Sequence, residues 1–268
     1  MKLTKFVTLR TTIYLAIFLA TFCILLEQSE GATNEGLVSY WSFDEGTGNV
    51  AHDTVGNHDG QFVGNPKWIS PGKIGAGALE VDSSNYVNCG TGVTANPDLT
   101  VAFWMNTPSQ AFKRPMAVSQ DDYYDKPGWM IMLRIDNPPG GVWFRVHGSG
   151  GDWNGGDLAI NETVYEANTW VHMAFTFDSE TREIKGYING ELKGTNTAAE
   201  GRSVANTEDD LRFGNTRTGE VYDGMLDDVR IYNRPLTPEE IKQIMTGAFL
   251  AVSPSGKLAA TWGMLKEQ

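Results

Sequence analysis

Asp223-Gly-Met-Leu-Asp-Asp-Val-Arg-Ile-Tyr-Asn-Arg-Pro-Leu-Thr-Pro-Glu-Glu-Ile-Lys-Gln-Ile244 reads as a strand followed by a helix. Val229 and Ile231 alternate with Arg230 and Tyr232, the period of a strand with one apolar face. Pro235 ends the strand because it has no N–H to give a sheet ladder. Thr237 is placed to cap a helix, with Pro238 at its first position and Glu239 and Glu240 in its first turn, where carboxylates suit the dipole. Ile241, Ile244 and Met245 give that helix one apolar side. Strict alternation puts Asp227 on the side of Val229 and Ile231, the side expected to be buried. A carboxylate there needs a partner, because an unpaired buried charge is costly.

The run Asp-Asp-Val-Arg-Ile-Tyr-Asn-Arg-Pro-Leu-Thr-Pro-Glu-Glu-Ile resembles the closing strand and helix of laminin G-like, concanavalin A-like jelly rolls of secreted bacterial proteins. Three further stretches carry the same resemblance: YWSFDEG…DTVGNHDG from Tyr40 to Gly60, Gly75–Asp82 with Tyr86-Val-Asn88, and TWVHMAFTFD…IKGYINGELK from Thr169 to Lys193. Together they cover residues 36–246. The resemblance implies an all-β fold, a two-sheet antiparallel β-sandwich (jelly roll) with a short C-terminal α-helix. It says little about function, since this fold hosts lectins, glycosidases, adhesion modules and spacers.

The residues support that fold independently. A chain of 268 residues with 41% hydrophobic content can bury a large core, and all-β sandwiches commonly reach this size as one domain. Thirty glycines suit many short strands joined by tight turns. Strands are expected at 36–43, where Leu37, Ser39, Trp41 and Phe43 share a face, and at 61–63, 78–81, 86–89 and 99–107. Others are expected at 116–119, 129–135, 141–147, 169–178, 183–188, 191–195, 211–214 and 224–232. Leu99–Thr107 is apolar on both faces and is expected to be central. Asn189-Gly190 suits a hairpin turn. Trp41, Trp104, Trp143 and Trp170 are expected to pack within strands.

Residues 1–31 are of a different kind. Lys2, Lys5 and Arg10 precede an uncharged apolar run of 16 residues from Thr11 to Leu26, and small residues precede a cleavage point after Gly31. This predicts a secretory signal peptide and a secreted, extracellular or periplasmic protein. The run is short for a membrane span, so the membrane enters only through an uncleaved signal segment. Phe22 occupies the position where a lipoprotein signal at Cys23 wants a small residue. Without residues 1–31, 18 basic and 31 acidic side chains remain, a net charge of −13. That balance argues against nucleic acid and anionic membranes and is compatible with divalent cations. Cys89 is then the sole cysteine, expected as a small buried hydrophobe. Residues 247–268 form a tail beyond the jelly roll.

Three chemistries merit candidate residues. The first is a structural calcium site, since calcium takes six to eight oxygens and acidic loops supply them. The resemblance points to Asp227 on the closing strand, with Asp44 next and Asp53 and Asp228 in reserve. The first and last strands of such a sandwich lie close, so Asp44 and Asp227 are expected to meet in space. The second is ligand binding by two loops, Gln120–Lys126 and His147–Asp157. Trp153, Tyr123 and Tyr124 supply flat faces for sugar rings, and Asp122, Asp152 and Asn154 supply hydrogen bonds for hydroxyls. The third is glycoside hydrolysis, which needs two carboxyl groups across one cleft. Glu80-Val-Asp82-Ser-Ser-Asn85 matches the relevant glucanase pattern only in part, lacking its last glutamate. His52, His58, His147 and His172 lack metal-ligand spacing, and no nucleophile elbow is present. The reading is therefore a secreted non-catalytic binding module for a carbohydrate or glycoconjugate. The alternatives are a protein–protein adhesion or spacer module at the cell surface and a glycoside hydrolase of the same fold.

Overall fold

The computed structural model describes residues 35–94, 96–108, 116–120, 127–133, 140–147, 157–206, 208–215 and 221–247. The expected signal peptide (1–31) and the tail beyond Gly247 lie outside them. Among the described residues, sixteen strands form two eight-stranded sheets. Sheet A runs β14 (Glu191–Thr197), β13 (Glu183–Ile188), β12 (Val171–Phe177), β7 (Leu99–Asn106), β16 (Gly224–Tyr232), β5 (Ala78–Val81) and β4 (Lys67–Ile69), with β1 (Leu37–Trp41) also on β16. Sheet B runs β11 (Leu158–Ile160), β10 (Val142–His147), β9 (Gly128–Leu133), β8 (Met116–Gln120), β15 (Arg212–Phe213), β6 (Tyr86–Asn88), β3 (Gly60–Val63) and β2 (Val50–Ala51). All pairings are antiparallel, and the inner faces meet in one core that includes Trp41, Phe103, Trp129, Phe144, Phe175, Phe213 and Ile231. This is the β-sandwich expected. Cys89 belongs to that core, and burial pushes its thiol pKa up.

β7 is central and buried along its whole length, as its two apolar faces predict. Leu99, Val101, Phe103 and Met105 point into the sandwich. Ala102 points the other way, under a helix, α1 (Pro238–Met245). That helix starts with a capping box: Glu240 N–H donates to Thr237 Oγ1, and Thr237 N–H donates to Glu240. Its Ile241 and Ile244 lie on Ala102, Ala174, Tyr187 and Tyr232 of sheet A. The β13–β14 hairpin turns on Asn189 and Gly190, at φ 51° and 76°, the left-handed pair that a two-residue turn requires.

Two bulges overturn simple alternation. In β1 the register shifts between Leu37 and Ser39, so Leu37 joins the helix-side cluster while Val38 packs against the main core. In β16 the register with β7 shifts between Asp227 and Arg230, and Asp228 takes φ 53°. One extra residue reverses the facing of everything before it. Leu226, Val229 and Ile231 all point inward, whereas Asp227 stands opposite Trp104 on the outer face. The expectation that Asp227 shares a face with Val229 and Ile231 is therefore corrected. Trp170 is half-buried just before β12, not within a strand, and β2, β4 and β11, too short to show a period, were not anticipated.

Candidate functional site

The bulge of β16 is where its partner changes. Gly224–Leu226 pair with β5, while Val229–Tyr232 pair with β1, so two strands share one edge. The 70–77 connection between β4 and β5 fills the junction. Asp227 Oδ2 accepts from Lys73 N–H (2.7 Å) and Ile74 N–H (2.8 Å). Asp44 Oδ1, just past β1, accepts from Ala76 N–H (2.6 Å) and Gly77 N–H (2.8 Å). Asp44 and Asp227 are thus both tied to one loop, with amide hydrogens facing each of them. Asp53 closes its own loop, accepting from Tyr40, Val55 and Gly56 N–H on Oδ1 and from His58 N–H on Oδ2. Asp228 pairs with buried Arg230 at 3.0 Å.

These partners bear on a cation. Amide hydrogens and a guanidinium face Asp44, Asp53 and Asp228 with positive charge, the opposite of what a metal ion needs. Among the described residues, no three His, Cys, Asp or Glu side chains converge. Asp227 differs, because its buried Oδ1 has no hydrogen-bond partner. Burial pushes its pKa up to about 7, against the pull of the Ile74 and Lys73 amides. That one oxygen fits a cation, which would take its other ligands from carbonyls or water. The partial glucanase match at 80–85 is structurally engaged: Glu80 pairs with Lys67 and Asp82 accepts from Ser84. His172 is buried, and burial first, then Arg230, lowers its pKa to about 3.

The six proposed sugar-contact residues, Asp122, Tyr123, Tyr124, Asp152, Trp153 and Asn154, lie outside the described residues. The strands that carry their loops are described. Gln120 pairs with Trp129 and His147 with Gly128, so both loops leave the same end of sheet B, on either side of β9. Gly128, where the first loop re-enters the sheet, pairs directly with His147, so the nearest roots are one strand spacing, roughly 5 Å, apart.

A cavity of about 200 Å³ opens where the chain crosses from β6 in sheet B to β7 in sheet A. Buried Val93 and Ile231 and half-buried Val38 form its apolar wall. Thr94, Asn96, Asp98 and Asn233 supply the polar groups. Asp98 Oδ1 accepts from Ser179 N–H (2.9 Å) and Oγ–H (2.6 Å), which fixes the carboxylate, and Asn96 Oδ1 accepts from Asp98 N–H (3.2 Å). Thr94 ties the cavity to the loop roots: its hydroxyl bonds Gln120 Oε1, and Trp129 Nε1–H donates to it at 3.3 Å. Sequence reasoning passed over Asn96, Asp98 and Asn233. The available signal was Gly90-Thr-Gly-Val-Thr-Ala-Asn-Pro-Asp98, with Gly90 and Gly92 at positive φ and an Asn-Pro-Asp turn between two strands.

Residues 81–242 match the family described as the concanavalin A-like lectin/glucanases superfamily. Among solved structures, domain 4 of AbnA, an extracellular GH43 arabinanase from Geobacillus stearothermophilus in complex with arabinotriose, is 20% identical. It aligns over 78% of this chain and 98% of that one, with a TM-score of 0.61. The binding domain of Paraclostridial Mosquitocidal Protein 1 is 18% identical over 81% of this chain and 53% of that one, TM-score 0.62. The botulinum neurotoxin serotype D binding domain is 18% identical over 80% and 52%, TM-score 0.59. This chain spans about half the length of the two toxin domains, and at these identities the likeness concerns the fold. No match was found among curated protein sequences.

Proposed function

The chain belongs to the concanavalin A-like lectin/glucanases superfamily, and on that footing we propose that it is a secreted, non-catalytic module that binds glycans at one end of its sandwich. The observation that carries this is the cavity beside Thr94, which combines an apolar wall with Asn and Asp side chains. Sugars ask for that mixture, since their ring faces are apolar and their hydroxyls both donate and accept. The two aromatic loops leave the sheet at the end where Gln120 bonds Thr94. The arabinanase domain, similar in fold, was solved with arabinotriose. The engagement of Glu80, Asp82, Asp53, Asp44 and Asp228 in structural bonds favours binding over hydrolysis. Recognition of a cell-surface protein is the second reading, favoured by the fold shared with two toxin binding domains.

A structural calcium belongs to the same proposal. Asp227, through Oδ1, is the residue that would hold it, and its effect would be to neutralise a buried carboxylate at the β1–β5–β16 junction. The test is a glycan array with the full chain, run in calcium and again in chelator. Specific binding to a glycan is expected in calcium. A blank array in both buffers, with binding instead to cell-surface protein, overturns the glycan reading. For secretion, N-terminal sequencing of exported protein is expected to begin at Ala32; a protein retained in the cytoplasm overturns it.

A further inference from the structure

We infer that the cavity at the sandwich end is the primary recognition subsite and takes the terminal, uncharged sugar of a glycan. The inference rests on the glycan reading above and narrows it. Size comes first. At about 200 Å³ the cavity is smaller than the roughly 300 Å³ at which pockets for drug-sized ligands begin. That is room on the scale of one sugar ring.

Shape comes second. Val93 and Ile231, both buried in the inter-sheet core, close the inner side. The cavity is therefore a recess closed toward the core, which a chain end can enter from the solvent side. The apolar wall of Val38, Val93 and Ile231 suits the C–H face of a ring.

Polarity decides which sugar. Among the described lining residues Asp98 is the one carboxylate, beside the buried phenol of Tyr232, and no Lys, Arg or His accompanies it. Its Oδ1 is held by Ser179, so Oδ2 has a fixed direction from which to accept a hydroxyl. Asn96 and Asn233 add amide groups, which match the donor and acceptor sides of neighbouring hydroxyls. A carboxylated or sulfated sugar would meet Asp98 without a compensating cation, on a chain of net charge −12.

The experiment titrates the full chain, by calorimetry and ligand-observed NMR, with methyl glycosides of neutral hexoses and pentoses. The corresponding uronic acids and short oligosaccharides ending in each neutral sugar complete the panel. At least one neutral methyl glycoside is expected to bind, with its oligosaccharides within about threefold in affinity and its uronic acid roughly tenfold weaker. Asp98→Asn keeps an Oδ1 acceptor for Ser179 and is expected to weaken the neutral glycoside roughly tenfold with unchanged melting. Affinity that climbs more than about tenfold from single sugar to oligosaccharide, or a preference for the uronic acid, overturns this inference and leaves the glycan reading standing. So does full affinity in Asp98→Asn. Failure of every sugar to bind removes the glycan reading itself.

Discussion

The 70–77 loop and the 90–98 loop are alike in composition and opposite in use. Both join strands through glycines, and both meet aspartates. At 70–77, four amide hydrogens are spent on Asp44 and Asp227, and the loop lies against the chain. At 90–98, Asp98 spends one oxygen on Ser179, and a cavity remains beside it. Topology explains the difference. β4 and β5 are neighbours in one sheet, so their connection folds back beside β1 and β16. β6 and β7 lie in different sheets, so theirs must cross the open end. An aspartate near glycines is therefore not evidence of a ligand until the groups facing it are known.

If the first loop is built for closure, crowding it should cost most. A Cβ on Gly77 would sit 2.5 Å from the Phe43 carbonyl oxygen, a backbone atom with nowhere to go. Gly77→Ala is expected to destabilise by about 3 kcal/mol, read by denaturant unfolding. A change under about 0.5 kcal/mol would mean that the two segments separate freely and that the contrast drawn here is wrong. Asp44→Ala comes next. It strands two amides at a partly exposed site, for an expected loss of about 1–2 kcal/mol. Asp44→Asn keeps an acceptor and should recover most of it; equal losses in the two variants would show that charge, not hydrogen bonding, holds the loop.

Asp227 sharpens the comparison through pH. Its pKa in the fold, about 7, lies above its ordinary value of 3.8. The folded state therefore holds the proton more tightly, and the group's stabilisation is complete below about pH 4 and is lost as pH rises to about 7. Asp227→Asn keeps an oxygen for Lys73 and Ile74 N–H and escapes that loss. In chelator the variant should match the wild type near pH 4 and exceed it by up to about 4 kcal/mol at pH 8. Added calcium should stabilise the wild type at pH 8 and leave the variant unmoved. A variant weaker than the wild type at pH 8 in chelator would sink the account of an uncompensated carboxylate, and an equal calcium shift in both would remove Asp227 as the ligand.

Much of this was legible in the sequence because it rests on local rules. The cap at Thr237, the turn at Asn189-Gly190 and the central position of Leu99–Asn106 each follow from a few adjacent residues. That the first strand lies beside the last was expected from the sandwich the resemblance implied. The facing of Asp227 was not, because a bulge is set by the competition of β5 and β1 for one edge of β16, which no single strand's pattern records. The same limit hid the cavity. Its wall joins β1, the 90–98 loop and the end of β16, segments that meet only when both sheets are in place.

The smallest expected effect on stability is at the open end. Asn96 is exposed and its Oδ1 accepts only a local, long hydrogen bond from Asp98 N–H, at 3.2 Å. Asn96→Ala should change unfolding by no more than about 0.5 kcal/mol, the range of surface substitutions. Against Gly77→Ala this sets the two loops at opposite ends of one scale, measured in one assay. A loss above about 2 kcal/mol at Asn96 would place it among groups that hold the fold, and the 90–98 loop would then be a second closed junction. Near-neutral stability together with weakened sugar binding is the pair of results that separates a group kept for a ligand from one kept for the fold.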